Sequence, residues 1–247
     1  MENEVYFAPP SSLNDPFDCR FRIDWHQDNP ELLRPICTEK SITLLGPMSE
    51  HKRKSIVDRK IAEILAPEFQ DRKAEEVRNS MDQGWGVFCL TDTREHPVMW
   101  AHYADAHRGF CVGFDSARLD TLGNEVFVRA GLGSYISPVH YVKKFPVVDS
   151  RDLAVPEKDN MRRFVTSKSR HWQYEREYRF VLAVKDEKRT HRFQNDALVQ
   201  VILGCRMTRE DEAEIKQILS ERTPKPQLLR ATMRPGEYAF EFKSVEY

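Results

Sequence analysis

The chain has 247 residues, 40% of them hydrophobic and 31% charged, and a formal net charge of −1. That is enough apolar material for a sizeable core, with more charge than the usual quarter. No apolar run approaches the roughly eighteen residues of a membrane helix, so a helical membrane protein is excluded.

In chain order, Glu4–Ala8 reads as a short strand stopped by Pro9 and Pro10. Ser11–Phe17 is a turn, because Asn and Asp bond their own backbone and Pro16 presets its φ. Asp28 to about Met48 lacks a clear period and is expected to be irregular or a short helix. Ser49–Gln83 is charged and helical in pattern, with Ile56, Ile61, Ile64 and Leu65 as its apolar stripe. Pro67 should break it into two helices. Trp85–Leu90 is a strand, and a helix running to about His107 opens at Pro97. Phe110–Phe114 is the next strand, followed by Glu125–Val128 and Pro138–Val142. A helix is predicted over Pro156–Ser169, then strands over Tyr174–Val184 and Leu198–Leu203. Thr208–Glu221 is an amphipathic helix capped by Thr208, with Glu210, Asp211 and Glu212 in its first turn. Gln227–Thr232 and Glu237–Val245 finish the sheet, with Tyr238, Phe240 and Phe242 on the apolar face.

Strands dominate the second half without alternating regularly with helices. The expected class is α+β, a mixed, mainly antiparallel sheet with flanking helices and a helical insertion near residues 49–83. A single domain over 1–247 is expected, with 49–83 as an insertion or subdomain. There is no internal repeat and no phosphate-loop signature. The five cysteines are scattered without a C-x-x-C pair, as reduced thiols would be, with Cys89 and Cys111 as small core residues. The opening MENEVYFAPP has neither a basic leader nor an apolar segment, so a cytoplasmic location is expected.

The stretch WQYEREYRFV, Trp172–Val181, read as one strand, puts Glu175, Glu177 and Arg179 on one face and Tyr174, Tyr178 and Phe180 on the other. Two carboxylates and a guanidinium on a rigid element suit group-transfer chemistry. A wet strand face with paired neighbours is the competing reading. On the helix VMWAHYADAHR, His102 and Asp105 share a face at i, i+3, and Trp100, Tyr103 and His107 line another. His102 and His107 are five apart, the wrong spacing for a helical zinc pair. Between Lys143 and Arg192, fourteen Lys or Arg face eight Asp or Glu. Such a basic segment attracts the phosphates of a nucleotide or of nucleic acid, and it is equally the composition of a solvated helix face.

NDPFD at Asn14–Asp18, MWAHYADAHRGFCVGF at Met99–Phe114, K-x-x-x-W-x-x-E-x-E-Y-R at Lys168–Arg179 and VILG at Val201–Gly204 occur in an order that resembles the bacterial family known as domain of unknown function 2971. The resemblance implies a bacterial or phage source, near defence and mobile-element genes, and supplies no established activity. Members of that family usually carry a further N-terminal strand, so a residue of the site is expected to be absent or supplied elsewhere.

The leading expectation is a defence- or toxin-associated effector that acts on a nucleotide-type substrate in the style of ADP-ribosyltransferases. NAD is the candidate substrate, and no cofactor is specified. Glu175 and Glu177 would share the roles of holding the ribose and activating the acceptor, with His102 as a third catalytic candidate. Tyr103 or Trp172 would stack on the base, and Arg179 or Lys168 would meet phosphate. Asn14 and Asp15 complete the binding set. One alternative is a metal-dependent nuclease using Asp15, Asp18, Glu175 and Glu177 with Lys168. The other is a module without catalysis that binds nucleic acid or a partner through 143–192.

Overall fold

A computed structural model of the chain describes residues 3–119, 135–154, 158–184 and 188–247. In chain order its strands begin with β1 (Glu4–Tyr6), β2 (Arg22–Asp24), β3 (Trp85–Thr91), β4 (Phe110–Phe114), β5 (Tyr135–Pro138) and β6 (His140–Val142). They continue with β7 (Val147–Asp149), β8 (Ser167–Ser169), β9 (Glu177–Ala183), β10 (Thr190–Arg192), β11 (Leu198–Leu203), β12 (Gln227–Met233) and β13 (Phe240–Ser244). The helices are α1 (Arg34–Leu45), α2 (Glu50–Leu65), α3 (Pro67–Gly84), α4 (Pro97–Tyr103), α5 (Lys158–Val165) and α6 (Arg209–Ser220). The class is α+β with mixed, mainly antiparallel pairing, and the chain divides into two compact units.

The first unit comprises Met1–Ala8, Trp85–Tyr141 and Arg170–Tyr247. Its larger sheet has the order β13-β12-β11-β4, in which only β11 and β12 run parallel. A parallel pair needs a crossover, and α6 supplies it. Thr208 accepts the amide of Asp211 at 3.1 Å, and three carboxylates fill the first turn, where the helix dipole favours them. The smaller sheet, β3-β9-β5, is antiparallel, with β9 in the middle. That central place is why Phe180, Val181 and Leu182 are all buried, on both faces. Phe7 meets Phe180 edge-on at 5.3 Å in the same core.

The second unit comprises Pro9–Gly84 and Val142–Ser169. A short parallel pair, β2 with β7, is tied by the His26 imidazole, whose Nε2 lies 2.8 Å from Asp149 Oδ1. Around it the charged segment 49–83 forms α2 and α3, separated at Pro67. Proline has no amide hydrogen to continue a helix and is tolerated at a first turn, so Ala66 turns extended and α3 begins anew. Val57 and Ile61 of α2 pack on Leu33 and on Cys37 of α1.

Several expectations are corrected. Of the two forms expected for 28–48, irregular or a short helix, the helix forms, as the twelve-residue α1, whose sequence is barely amphipathic and whose packing on α2 substitutes for local pattern. The strand expected over Tyr174–Val184 starts only at Glu177; Arg170–Glu175 is a 3-10 helix. The helix expected to reach His107 ends at Tyr103, because Asp105, Ala106 and His107 adopt positive φ. The helix of 156–169 gives way after Val165 to β8, so Lys168 sits on a strand. Cys89 is exposed, on an edge strand of its sheet, and the buried cysteines are Cys19 and Cys37. Tyr238 is fully exposed, since the chain reverses at Gly236 and β13 begins at Phe240. The strand expected over 125–128 lies outside the described residues.

Candidate functional site

Within the first unit, α4 and the 3-10 helix Arg170–Glu175 bring together four of the singled-out residues. Pro97 opens α4 and Trp100 anchors it, buried, its indole N–H donating to the Arg94 carbonyl at 2.7 Å. That anchor leaves His102 and Tyr103 exposed on the next turn. In a 3-10 helix residues three apart eclipse one another, so Trp172 and Glu175 fall on one side. The Tyr103 hydroxyl donates to Glu175 Oε1 at 2.6 Å, a short, charge-assisted bond to a carboxylate that is only 2% exposed. The His102 ring meets both Trp172 and Tyr103 edge-on at 6.1 Å. Rings continue through Tyr174 to His96, stacked on Tyr174 at 4.9 Å. The result is an aromatic wall, half in solvent, beside a buried carboxylate.

Arg176 then takes a left-handed φ of 47°, which turns the chain from the 3-10 helix into β9. Its guanidinium pairs with Asp92 at 2.7 Å, while Thr91 donates to the Glu175 carbonyl at 2.7 Å. Glu177 and Arg179 therefore share a strand face without Glu175. Arg179 grips Glu177 at both oxygens, 2.7 and 3.2 Å, and is completely buried. The Glu177 amide donates to the Tyr141 hydroxyl at 2.8 Å. The polar face, read in the sequence either as a reactive trio or as a wet strand face, is thus a buried ion pair without Glu175, which low dielectric strengthens only because both members are present.

His102 and Asp105 do not share a helix face. Asp105 lies beyond the end of α4 and pairs with Arg108 at 2.9 Å, which holds its carboxyl below the ordinary value. His107 likewise lies beyond the helix end, and its ring meets Phe240, against which Trp100 also packs. Burial pushes the Cys111 thiol up, toward the neutral form and away from nucleophilic chemistry.

The remaining singled-out residues lie in the second unit. Asn14 is exposed. Asp15 accepts the Phe17 amide at 2.9 Å and so builds the turn of NDPFD. Asp18 Oδ1 accepts the Cys19 amide at 2.8 Å, and its other oxygen lies 3.8 Å from Lys168 Nζ, both side chains buried. The basic segment 143–192 is divided between the units at Arg170. Several of its cations are engaged internally: Arg151 with Asp149, Arg176 with Asp92, Arg189 with the Phe7 and Trp85 carbonyls, and Arg192 with Glu4.

His96, Thr91 and Tyr141 had no sequence signal, since each acts through a partner distant along the chain. Among the described residues no group of three or more His, Cys, Asp or Glu is placed to hold a metal ion. No helix among them is long and apolar enough to cross a membrane.

Residues 99–180 match the model of a family described as a protein of unknown function, DUF2971. The match covers a third of the chain, with the aromatic wall and both carboxylates largely inside it, and leaves NDPFD and VILG outside. Comparison with curated proteins and with solved structures finds no match.

Proposed function

We propose that the protein is an effector that acts on a nucleotide-type substrate by group transfer, in the style of ADP-ribosyltransferases, with Glu175 as the reacting carboxylate. One observation carries this: a buried carboxylate, oriented by an exposed tyrosine, lies beside the aromatic wall of His102, Trp172 and Tyr174. A nucleotide offers a flat base for such a wall and a ribose whose cationic transition state a carboxylate stabilises. With NAD as substrate, the bond between nicotinamide nitrogen and ribose C1′ breaks, and nicotinamide leaves with the electron pair. The acceptor forms the new bond to C1′ and its proton passes to Glu175. Glu177, neutralised by Arg179, is a positioning residue on the strand that follows.

The test is nicotinamide release from NAD by the purified protein, followed chromatographically. Glu175→Gln should lower it by about a hundredfold or more, and Tyr103→Phe by less, since the tyrosine only aims the carboxylate. Wild-type protein without turnover, or a Glu175→Gln variant that turns over normally, overturns the reading.

A second reading has its own support. The complete burial of the Arg179–Glu177 pair suits a scaffold as well as a site, and a module that binds nucleic acid without catalysis would keep it for stability. Binding to single-stranded RNA or DNA that weakens steeply with salt, and is untouched by Glu175→Gln, favours that module.

A further inference from the structure

The second unit contains a cleft of about 490 Å³ among α1, α2, α3 and the segment after β7. Its size is that of sites for drug-sized ligands. The floor is aliphatic, made by Leu33, Val57 and Ile64 with the Cys37 thiol among them. Leu44 and Leu45 at the end of α1 form a lip, and they are 78% and 53% exposed, unusual for two adjacent leucines. An apolar floor that continues into an exposed apolar lip is a surface that gains by being covered.

The charges around it have one sign in excess. Lys60 is paired with Glu63 and Lys73 with Glu76, each within the helix that carries it. Lys40 and Arg59 line the cleft with no carboxylate partner among the described residues, and Arg72 is engaged only by the Phe69 ring, at 5.4 Å. Ser150 adds a buried hydroxyl without a hydrogen-bond partner among the described residues. A donor stranded in this way is a cost to the fold unless an acceptor arrives.

The body of the ligand follows from what the aromatics are already doing. Phe69 is approached by Lys60 at 5.5 Å, by Arg72, and by the edge of Trp25 at 6.0 Å, so it has little face to offer a base or another ring. Branched aliphatic side chains make up most of the remaining apolar lining. We infer that this cleft binds a long-chain carboxylate, its alkyl chain on the floor between α1 and α2 and its anionic head at the cations Lys40 and Arg59. This is a separate site from the aromatic wall of the first unit, and it stands whether or not the protein transfers groups.

The experiment is calorimetric titration of the full chain with sodium dodecanoate below its micelle concentration, with dodecylamine and dodecanol as cationic and neutral controls. Dodecanoate should bind saturably, at least tenfold more tightly than dodecylamine. The double variant Lys40→Glu/Arg59→Glu, altered only at exposed positions, should lose about tenfold or more for dodecanoate and keep its dodecanol affinity. Leu44→Glu at the lip should weaken all three, and its circular dichroism melt reports whether the fold is intact; Leu45→Glu replaces it if not. Absence of saturable dodecanoate binding overturns the inference, as does equal affinity for amine and carboxylate, or indifference to the double reversal. So does sedimentation showing that the wild-type chain self-associates and that Leu44→Glu dissociates it, which would make the lip a contact between copies.

Discussion

Tyr103 and Glu175, 72 positions apart in the chain, are joined by a 2.6 Å hydrogen bond in which an exposed phenol caps a buried carboxylate. Because one partner reaches water and the other does not, the bond fixes the orientation of the one side chain that cannot reorient freely. Tyr103→Phe should therefore cost about 1.5–2 kcal/mol, the lower part of the range for hydrogen bonds to charged groups, since water can partly replace the phenol. Urea unfolding measures it, and adding Glu175→Gln closes a double-mutant cycle. A coupling energy near zero would show that the two groups do not depend on each other.

Arg179 and Glu177 present the opposite case, with neither partner in solvent. Removing the guanidinium leaves a carboxylate buried with less compensation, so Arg179→Met should destabilise by about 3–5 kcal/mol. Arg179→Met/Glu177→Leu should cost less than Arg179→Met alone. Chemical denaturation of both variants decides it, and a double variant weaker than the single would mean that the pair's other contacts dominate.

Gly204 ends the VILG motif for a reason that has nothing to do with chemistry. A Cβ there would lie 2.2 Å from the His107 carbonyl oxygen and 2.6 Å from that of Gly109. Both obstacles are backbone, and Gly204 donates to the Gly109 carbonyl at 2.9 Å, so neither can retreat cheaply. Gly204→Ala should cost about 3 kcal/mol or more, read as a fall in expression and melting temperature. The turn of ADAHRG and the end of β11 are thus one packed feature, although about a hundred residues separate them in the chain.

How far the sequence was legible depends on whether the cause of an element is local. The α6 helix was readable because Thr208 and the acids after it act within one turn, and the α2–α3 break because proline acts on its own neighbours. The helix α1 was not, since its reason for existing is Leu33 and Cys37 meeting Val57 and Ile61. The sequence puts Glu175 on a strand because Tyr174–Leu182 alternates but for Arg176 on the apolar face and Val181 on the polar one. Extended backbone begins only at Glu177, where β9 is buried on both faces, and bonds from Thr91 and Asp92 set the 3-10 turn before it. Nothing in an Ala-Asp-Ala-His sequence announces three left-handed residues. Tyr103 and Trp172 stand out in the sequence as rings to stack on a base; that the Tyr103 hydroxyl reaches Glu175, and that His96 joins the rings from a loop without pattern, depends on contacts distant along the chain.

Those three left-handed residues make a prediction of their own. Ala106 has φ of 50°, a conformation that costs an L-residue about 1–2 kcal/mol and glycine nothing. Glycine loses about 0.5–1 kcal/mol more chain entropy on folding. Ala106→Gly should thus be neutral to stabilising, raising the melting temperature by up to about 2–4 °C. A clear loss of stability would mean that the turn is not held in this form.

His191 provides the pH dependence. Its ring packs edge-on against Phe7 at 5.6 Å in the core of the first unit, and burial pushes its pKa below the ordinary 6.5, with the Lys188 carbonyl opposing weakly. The folded protein therefore binds this proton less readily than the unfolded chain does. Stability from the neutral ring is fully present above 6.5 and is lost as pH falls through that value toward the lowered folded-state pKa. Unfolding free energies of wild type and His191→Gln, measured from about pH 7.5 down to 5, should run parallel above the window and converge within it, the wild type falling faster. Carboxylates titrating in the same range affect both proteins alike and cancel in the difference. Curves that stay parallel throughout would mean that the imidazole titrates in the folded state as it does in water, and that the packing against Phe7 does not exclude its charged form.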